Sequence, residues 1–161
     1  MPMGTVPTRI LVTGALGQIG TELVEVLRDK YGEQSVIATD IREANGCTQL
    51  DVMDAEGIES LVQNEEITDI YHLAALLSAT GEKNPDLCWS INVDGLVNVI
   101  SVAKKYGCRL FSPSSIAVFG PDCPKHAPQV TGLNPSTVYG KTKVVGEHLA
   151  MTSEIDMRGL R

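Results

Sequence analysis

The sequence predicts an α/β chain, a doubly wound parallel sheet with helices on both faces. Three observations carry that expectation. Short apolar runs alternate with longer stretches whose apolar residues recur every three or four positions, as in buried strands and one-sided helices. The alternation is regular from residue 9 onward, as parallel strands joined by crossover helices require. A glycine-rich turn, Thr13-Gly-Ala-Leu-Gly-Gln-Ile-Gly20, sits at the first strand-to-helix junction.

Taken in order, residues 1–8 carry Pro2, Gly4 and Pro7 without the apolar centre of a leader, and are expected to be a loose tail. Residues 9–13 are the first strand. Residues 18–30 form a helix whose inward face is Ile19, Leu23, Val26 and Leu27. A second strand over 35–40 ends in Asp40, and a short third covers 48–51. A helix follows over 55–64, with Ile58, Leu61 and Val62 inward, then a strand over 69–73. The longest helical signal spans 85–106, with Asn84 as N-cap, Pro85 in the first turn and Gly107 as the stop. Beyond it lie a strand over 109–112, a loop over 120–135 with four prolines, a helix over 138–150, and the start of a strand at 157–160. Lys104 and Lys105 read as a solvated helix end. No repeat, low-complexity stretch or linker marks a second domain, so residues 9–161 are expected to be one unit.

Composition narrows the function. Thirteen basic against twenty acidic residues give a net charge of −7, which argues against nucleic acid or an anionic membrane as partner. Hydrophobic content of 43% with 20% charged residues suits a folded core. The four cysteines show no C-x-x-C pair, and neither they nor the three histidines have metal-ligand spacing. No metal site is expected, and the cysteines fit a reduced, intracellular and cytoplasmic setting. No run of apolar residues is long enough to span a bilayer.

The glycine turn points to a ligand. Gly14, Gly17 and Gly20 follow a strand and open a helix, spaced G-x-x-G-x-x-G. Glycine allows the tight turn, lets backbone approach a pyrophosphate, and packs helix on sheet. The helix start, through Gln18 and Ile19, then offers free N–H groups and a positive dipole end to the phosphates. Asp40, twenty residues beyond Gly20 and closing the second strand, is placed to bind an adenosine ribose. This is the pattern of a Rossmann-type dinucleotide site. A carboxylate there repels a 2′-phosphate, so NAD is preferred over NADP, and only Arg42, within reach of a phosphate, softens that preference. Asp51 would face the adenine amine, with Val52 packing beside it.

Tyr139 and Lys143 lie four apart at the start of a helix and project from one face. A phenol is a weak base near neutrality, and a neighbouring ammonium stabilises its phenolate. Some 24 residues earlier the strand over 109–112 runs into hydroxyls at Ser112, Ser114 and Ser115. Ser115 could hold a substrate oxygen while Tyr139 exchanges its proton. Loop capping is the competing role for these serines, Ser112 above all.

Together with His72-Leu-Ala-Ala-Leu-Leu-Ser78, Asn92-Val-Asp-Gly-Leu-Val-Asn98 and Ser115-Ile-Ala-Val-Phe-Gly120, these motifs resemble the extended short-chain dehydrogenase/reductase superfamily. The segments running from His72 to Glu82 and from Pro113 to Pro121 are similar to its L-threonine 3-dehydrogenase branch. The resemblance implies that Tyr139 deprotonates the threonine 3-hydroxyl and that Ser115 orients the reacting oxygen. It implies that Lys143 binds the nicotinamide ribose and lowers the tyrosine pKa, with hydride passing to NAD to give 2-amino-3-ketobutyrate. Ser78 would border the substrate, Leu73, Ala74 and Ala75 the cofactor, and Asn92 would stand beside the cofactor on its helix. A homodimer is implied as well, pairing the helix from Pro85 with the one bearing Lys143; Leu96, Val99, Val145 and Leu149 are available for it or for the core.

Family members are about twice this length, and their second half supplies most substrate contacts, so that complement is expected to be absent or truncated here. The stretch over 147–156 also looks shorter than the family's helix and connection. Two other functions therefore stand beside the dehydrogenase: a non-catalytic NAD-binding module, and a sugar-nucleotide epimerase or dehydratase of the same superfamily.

Overall fold

The computed structural model describes residues 7–161, so most of the expected loose tail lies outside the described residues. Six strands form one parallel sheet: β1 (Ile10–Thr13), β2 (Val36–Asp40), β3 (Thr48–Gln49), β4 (Asp69–His72), β5 (Arg109–Phe111) and β6 (Met157–Arg158). Their order across the sheet is β3-β2-β1-β4-β5-β6. The chain moves outward from β1 in one direction, then returns and moves outward in the other, which opens a crevice beside the carboxyl end of β1. The helices are α1 (Gln18–Tyr31), α2 (Ala55–Asn64), α3 (Ser78–Lys83), α4 (Pro85–Trp89), α5 (Gly95–Tyr106) and α6 (Val138–Thr152).

Alternation along the strands assigns the two faces. Ile10 and Val12 of β1 pack with Val36, Ala38 and the α1 residues Val24 and Leu27. Leu11 points the other way, joining Ile70, Leu110, the α2 residues Ile58 and Val62, and Leu96, Val99 and Ala103 of α5. Each such fully buried aliphatic side chain contributes about 1.5–3 kcal/mol. Leu96 and Val99 thus lie in the core, and Leu149 packs against it. Core packing accounts for Leu96 and Val99.

Several expectations need correction. The inward face of α1 is Gly20, Val24 and Leu27, while Ile19 and Val26 are 62% and 61% exposed. Gly20 sets this rotation, because a Cβ there would stand 2.3 Å from the Gly14 carbonyl oxygen, and only glycine lets the helix approach so closely. The expected helix over 85–106 contains a π turn at Ser90–Asp94, closed by the Gly95 N–H on Ser90 O. Asn84 does not cap it with its side chain; the short helix α3, which the sequence did not announce, ends there, and the Asn84 amide turns back to Thr80 O. Pro85 does occupy the first turn, and Gly107 ends α5 at φ 70°. The third strand is only two residues long, and α6 runs two residues further than expected, to Thr152.

Lys104 and Lys105 form surface ion pairs with Glu154 and Glu59, consistent with a solvated helix end. Among the described residues, no helix is long and apolar enough to cross a membrane.

Candidate active site

The crevice at the carboxyl ends of the strands holds two adjoining clefts, of about 270 and 300 Å³, which share Ala74 and Ala75. The first is bounded by Gly14 and Gly17, by Asp40 and Arg42, by Asp51 and Val52, and by Leu73. Gly14 adopts φ 69°, and a Cβ there would stand 2.6 Å from the Ala74 amide nitrogen. The turn therefore lies directly against the loop leaving β4. Gly17 precedes α1 without any side-chain cap, and no acid occupies the first turn. The first-turn N–H groups, from Gln18 to Gly20, are left for an anion.

Asp40 is 7% exposed and accepts from the Leu16 N–H at 3.1 Å, the Arg42 N–H at 3.1 Å and Arg42 Nε at 3.0 Å. Burial pushes its carboxyl up, but the Arg42 and Leu16 bonds outweigh this and hold it below the usual carboxylate range. Arg42, which could have reached a phosphate, is turned onto Asp40 instead. Asp51 accepts the Met53 N–H at 2.9 Å, and Asn98 Nδ2 donates to the Val52 carbonyl at 3.1 Å. Val52 also fills the space a side chain at Gly95 would need. A glycine cradle, an uncapped helix start and an ionised acid at the far wall together fit a dinucleotide with unphosphorylated ribose hydroxyls.

The second cleft lies against α6 and is lined by His72, Asn92, Thr142, Lys143, Glu147 and Arg161, among others. Lys143 Nζ stands 5.6 Å from the Tyr139 ring centre and donates to the Pro113 carbonyl at 2.9 Å. Burial pushes the Lys143 ammonium down. It also pushes the Tyr139 phenol up; the Ser115 hydroxyl beside it pulls the other way, and the Cys88 thiol adds to the rise. Burial governs the phenol while the Lys143 ammonium is directed at Pro113.

Ser115 Oγ also accepts the Ala117 N–H at 3.1 Å and caps the short 3-10 turn Ile116–Val118, so the capping role foreseen chiefly for Ser112 belongs to Ser115. Asn92 is buried, and its side chain clamps the Leu76 backbone, accepting the N–H at 2.7 Å and donating to the carbonyl at 3.0 Å. Its amide also donates to Thr142 Oγ1 at 3.2 Å. Its amide is engaged in fixing the cleft wall. Ser78 opens α3 and, like Ser115 and Tyr139, lines neither cleft.

Some site residues escaped the sequence reading. His72 is fully buried, bonds Thr13 Oγ1 through Nδ1 at 2.9 Å, and is pushed down to about 3 by burial and then by the Lys143 charge. Thr13 and His72 are register partners closing β1 and β4, a pairing the parallel order could have announced. Glu147, one turn beyond Lys143, bonds Ser114 and Arg161. Its four-residue spacing from Lys143 was the available signal. Among the described residues, no group of three His, Cys, Asp or Glu side chains could hold a metal ion.

Residues 10–159 match the sequence model of the NAD dependent epimerase/dehydratase family. The chain belongs to that family. Its cofactor is NAD, which the cradle and Asp40 fit. Within the extended short-chain dehydrogenase/reductase superfamily, the structure matches the L-threonine 3-dehydrogenase branch. A monomeric L-threonine 3-dehydrogenase from a metagenome is 53% identical, with a TM-score of 0.90 over 94% of this chain and 52% of that one. L-threonine dehydrogenase from Clostridium difficile is 42% identical, with a TM-score of 0.92 over 98% of this chain and 53% of that one. An uncharacterized epimerase/dehydratase from Staphylococcus aureus is 49% identical over 150 residues, covering 88% of this chain and 47% of the relative. The chain therefore spans about half the length of the relatives it matches.

Proposed function

We propose that the chain is the cofactor-binding and proton-transfer part of an NAD-dependent oxidoreductase acting on L-threonine at its 3-hydroxyl. Residues 9–161 are one NAD-binding unit, and the surface that selects the substrate belongs mostly to the other half of the relatives' length. The observation that carries this reading is the continuity of the two clefts through Ala74 and Ala75, with Lys143 lining the second and Tyr139 and Ser115 beside it.

Gly14, Gly17, Gln18, Ile19 and Gly20 receive the pyrophosphate, Asp40 the adenosine ribose, and Asp51 with Val52 the adenine. Leu73, Ala74 and Ala75 floor the groove, and Asn92 fixes its wall. NAD, when bound, supplies the hydride acceptor. Ser115 orients the 3-hydroxyl, and Tyr139 removes its proton as the alcohol becomes a ketone, giving 2-amino-3-ketobutyrate. With NAD bound, Lys143 would hold the nicotinamide ribose in place of the Pro113 carbonyl, and its ammonium would offset the burial that disfavours the phenolate. Ser78 borders the substrate. The setting is a reduced cytoplasm, in which Cys47, Cys88, Cys108 and Cys123 stay free, and the assembly is a homodimer.

Calorimetric titration with NAD, NADH fluorescence with L-threonine, and chromatography of UDP-sugars after incubation with the chain test the reading. NAD should bind and L-threonine should reduce it, while Tyr139→Phe abolishes turnover and spares NAD binding. Binding without turnover leaves a non-catalytic NAD module. Conversion of a UDP-sugar alone makes the chain a sugar-nucleotide epimerase or dehydratase. Failure to bind NAD overturns the proposal, and light scattering decides the dimer.

A further inference from the structure

α6 meets the segment leaving β5 along a single line of contacts. Tyr139, Lys143 and Glu147 recur every four residues, so they stack on one helix face. Each reaches a different member of the adjoining stretch. Lys143 Nζ donates to the Pro113 carbonyl at 2.9 Å, Ser114 Oγ donates to Glu147 Oε1 at 2.6 Å, and the Ser115 hydroxyl lies beside Tyr139.

Glu147 is itself held. Arg161 donates to its two oxygens through Nε at 2.7 Å and Nη2 at 2.6 Å, a bidentate pair with side chains only 17% and 18% exposed. The remaining arm of Arg161 donates to the Gln129 carbonyl at 2.7 Å, and its guanidinium stands 5.3 Å from the Phe119 ring centre. One ion pair thus joins α6, the serine segment, the proline-rich loop and the end of the chain beyond β6.

We propose that Glu147, clamped by Arg161, is a positioning residue that fixes Ser114 and thereby keeps Ser115 against the Tyr139 phenol. The inference rests on the reading of Ser115 and Tyr139 as the reacting pair. On that reading, Lys143 leaves the Pro113 carbonyl when it turns to the ribose, and the Glu147 tie is the one that persists.

The groups facing the phenol are Ser115, Lys143 of α6 and Cys88 of α4. Ultraviolet titration of the whole chain, with Tyr139→Phe subtracted, isolates the Tyr139 phenolate among the four tyrosines. Ser115→Ala should raise its midpoint by removing the neighbouring hydroxyl that favours the phenolate. Glu147→Ala should raise it by the same amount, Glu147→Gln by less because the amide oxygen still accepts from Ser114, and Glu147→Ala should add nothing to Ser115→Ala. Sign separates positioning from a field effect, since loss of a nearby negative charge alone would lower the midpoint. A wild-type or lowered midpoint in Glu147→Ala, or a shift fully additive with Ser115→Ala, overturns the inference. Should Glu147→Ala not fold, Ser114→Ala removes the same link at one hydroxyl and must show the same rise. NAD affinity should be unchanged throughout. If the wild-type chain fails to bind NAD, the proposed function falls, while the titration still decides the clamp.

Discussion

At the glycine turn the groove is shaped by backbone that leaves no space for a side chain, whereas against α6 it is shaped by side chains that hold one another. Gly14 and Gly20 touch the Ala74 amide and the Gly14 carbonyl almost directly, and Asp40 is fixed partly by main-chain donors. On the other side, His72, Asn92, Thr142, Glu147 and Arg161 form polar contacts drawn from four separate parts of the chain. The glycines and Asp40 of the first wall lie within one strand–helix–strand unit. The second exists only once distant segments are assembled, so the two should fail differently when altered.

The largest effect is expected at the backbone wall. Gly20→Val places a branched side chain into the Gly14 carbonyl and the Ala15 backbone. It should abolish NAD binding in calorimetry and cost about 3 kcal/mol in a denaturant titration. Near-normal binding would show that the turn is softer than its contacts indicate.

On the side-chain wall, His72 offers a test through pH. Its folded pKa of about 3 lies below the ordinary value of 6.5, so between these values the unfolded chain binds more protons. Stability from this group is complete above about pH 6.5 and is lost as the pH falls toward 3. His72→Asn should remove about 2 kcal/mol of the stability lost between about pH 7 and about pH 5. Equal losses in variant and wild type would show that His72 is not held neutral.

The smallest effect belongs to one link of the network. Thr142, 1% exposed, accepts the Asn92 amide at 3.2 Å and donates to the Tyr139 carbonyl at 2.7 Å. Thr142→Val keeps its shape and should cost about 1 kcal/mol in thermal unfolding. An unchanged melting temperature would mean that Asn92 finds another acceptor, and that this wall is more adaptable than the glycine turn.

The same contrast explains what the sequence disclosed. The alternation of strands and helices, the glycine cradle and Asp40 were legible because each follows from local spacing and periodicity. The phase of α1 was not: Ile19 and Val26 look like core on a helical wheel, but contact at Gly20 rotates the helix away from them. α3 was missed because Thr80 and Gly81 give a weak helical signal. Glu147 and Arg161 could not be paired by inspection, since their meeting depends on β6 lying beside β5. The tyrosine–lysine face was legible as a spacing, but the direction of the Lys143 ammonium depends on the Pro113 carbonyl, a main-chain atom whose position only the fold supplies.

The π turn at Ser90–Asp94 carries one further consequence. Every residue inserted into a helix advances its faces by about 100°, so the widened turn lets a single rod change phase midway. Before it, α4 packs on α3 and α6; after it, α5 packs on α2 and the sheet. Asn92 stands at the change of phase, its amide reaching both the Leu76 backbone and Thr142 of α6. A chain with one residue fewer there could align its helix with the core or with α6, but not with both.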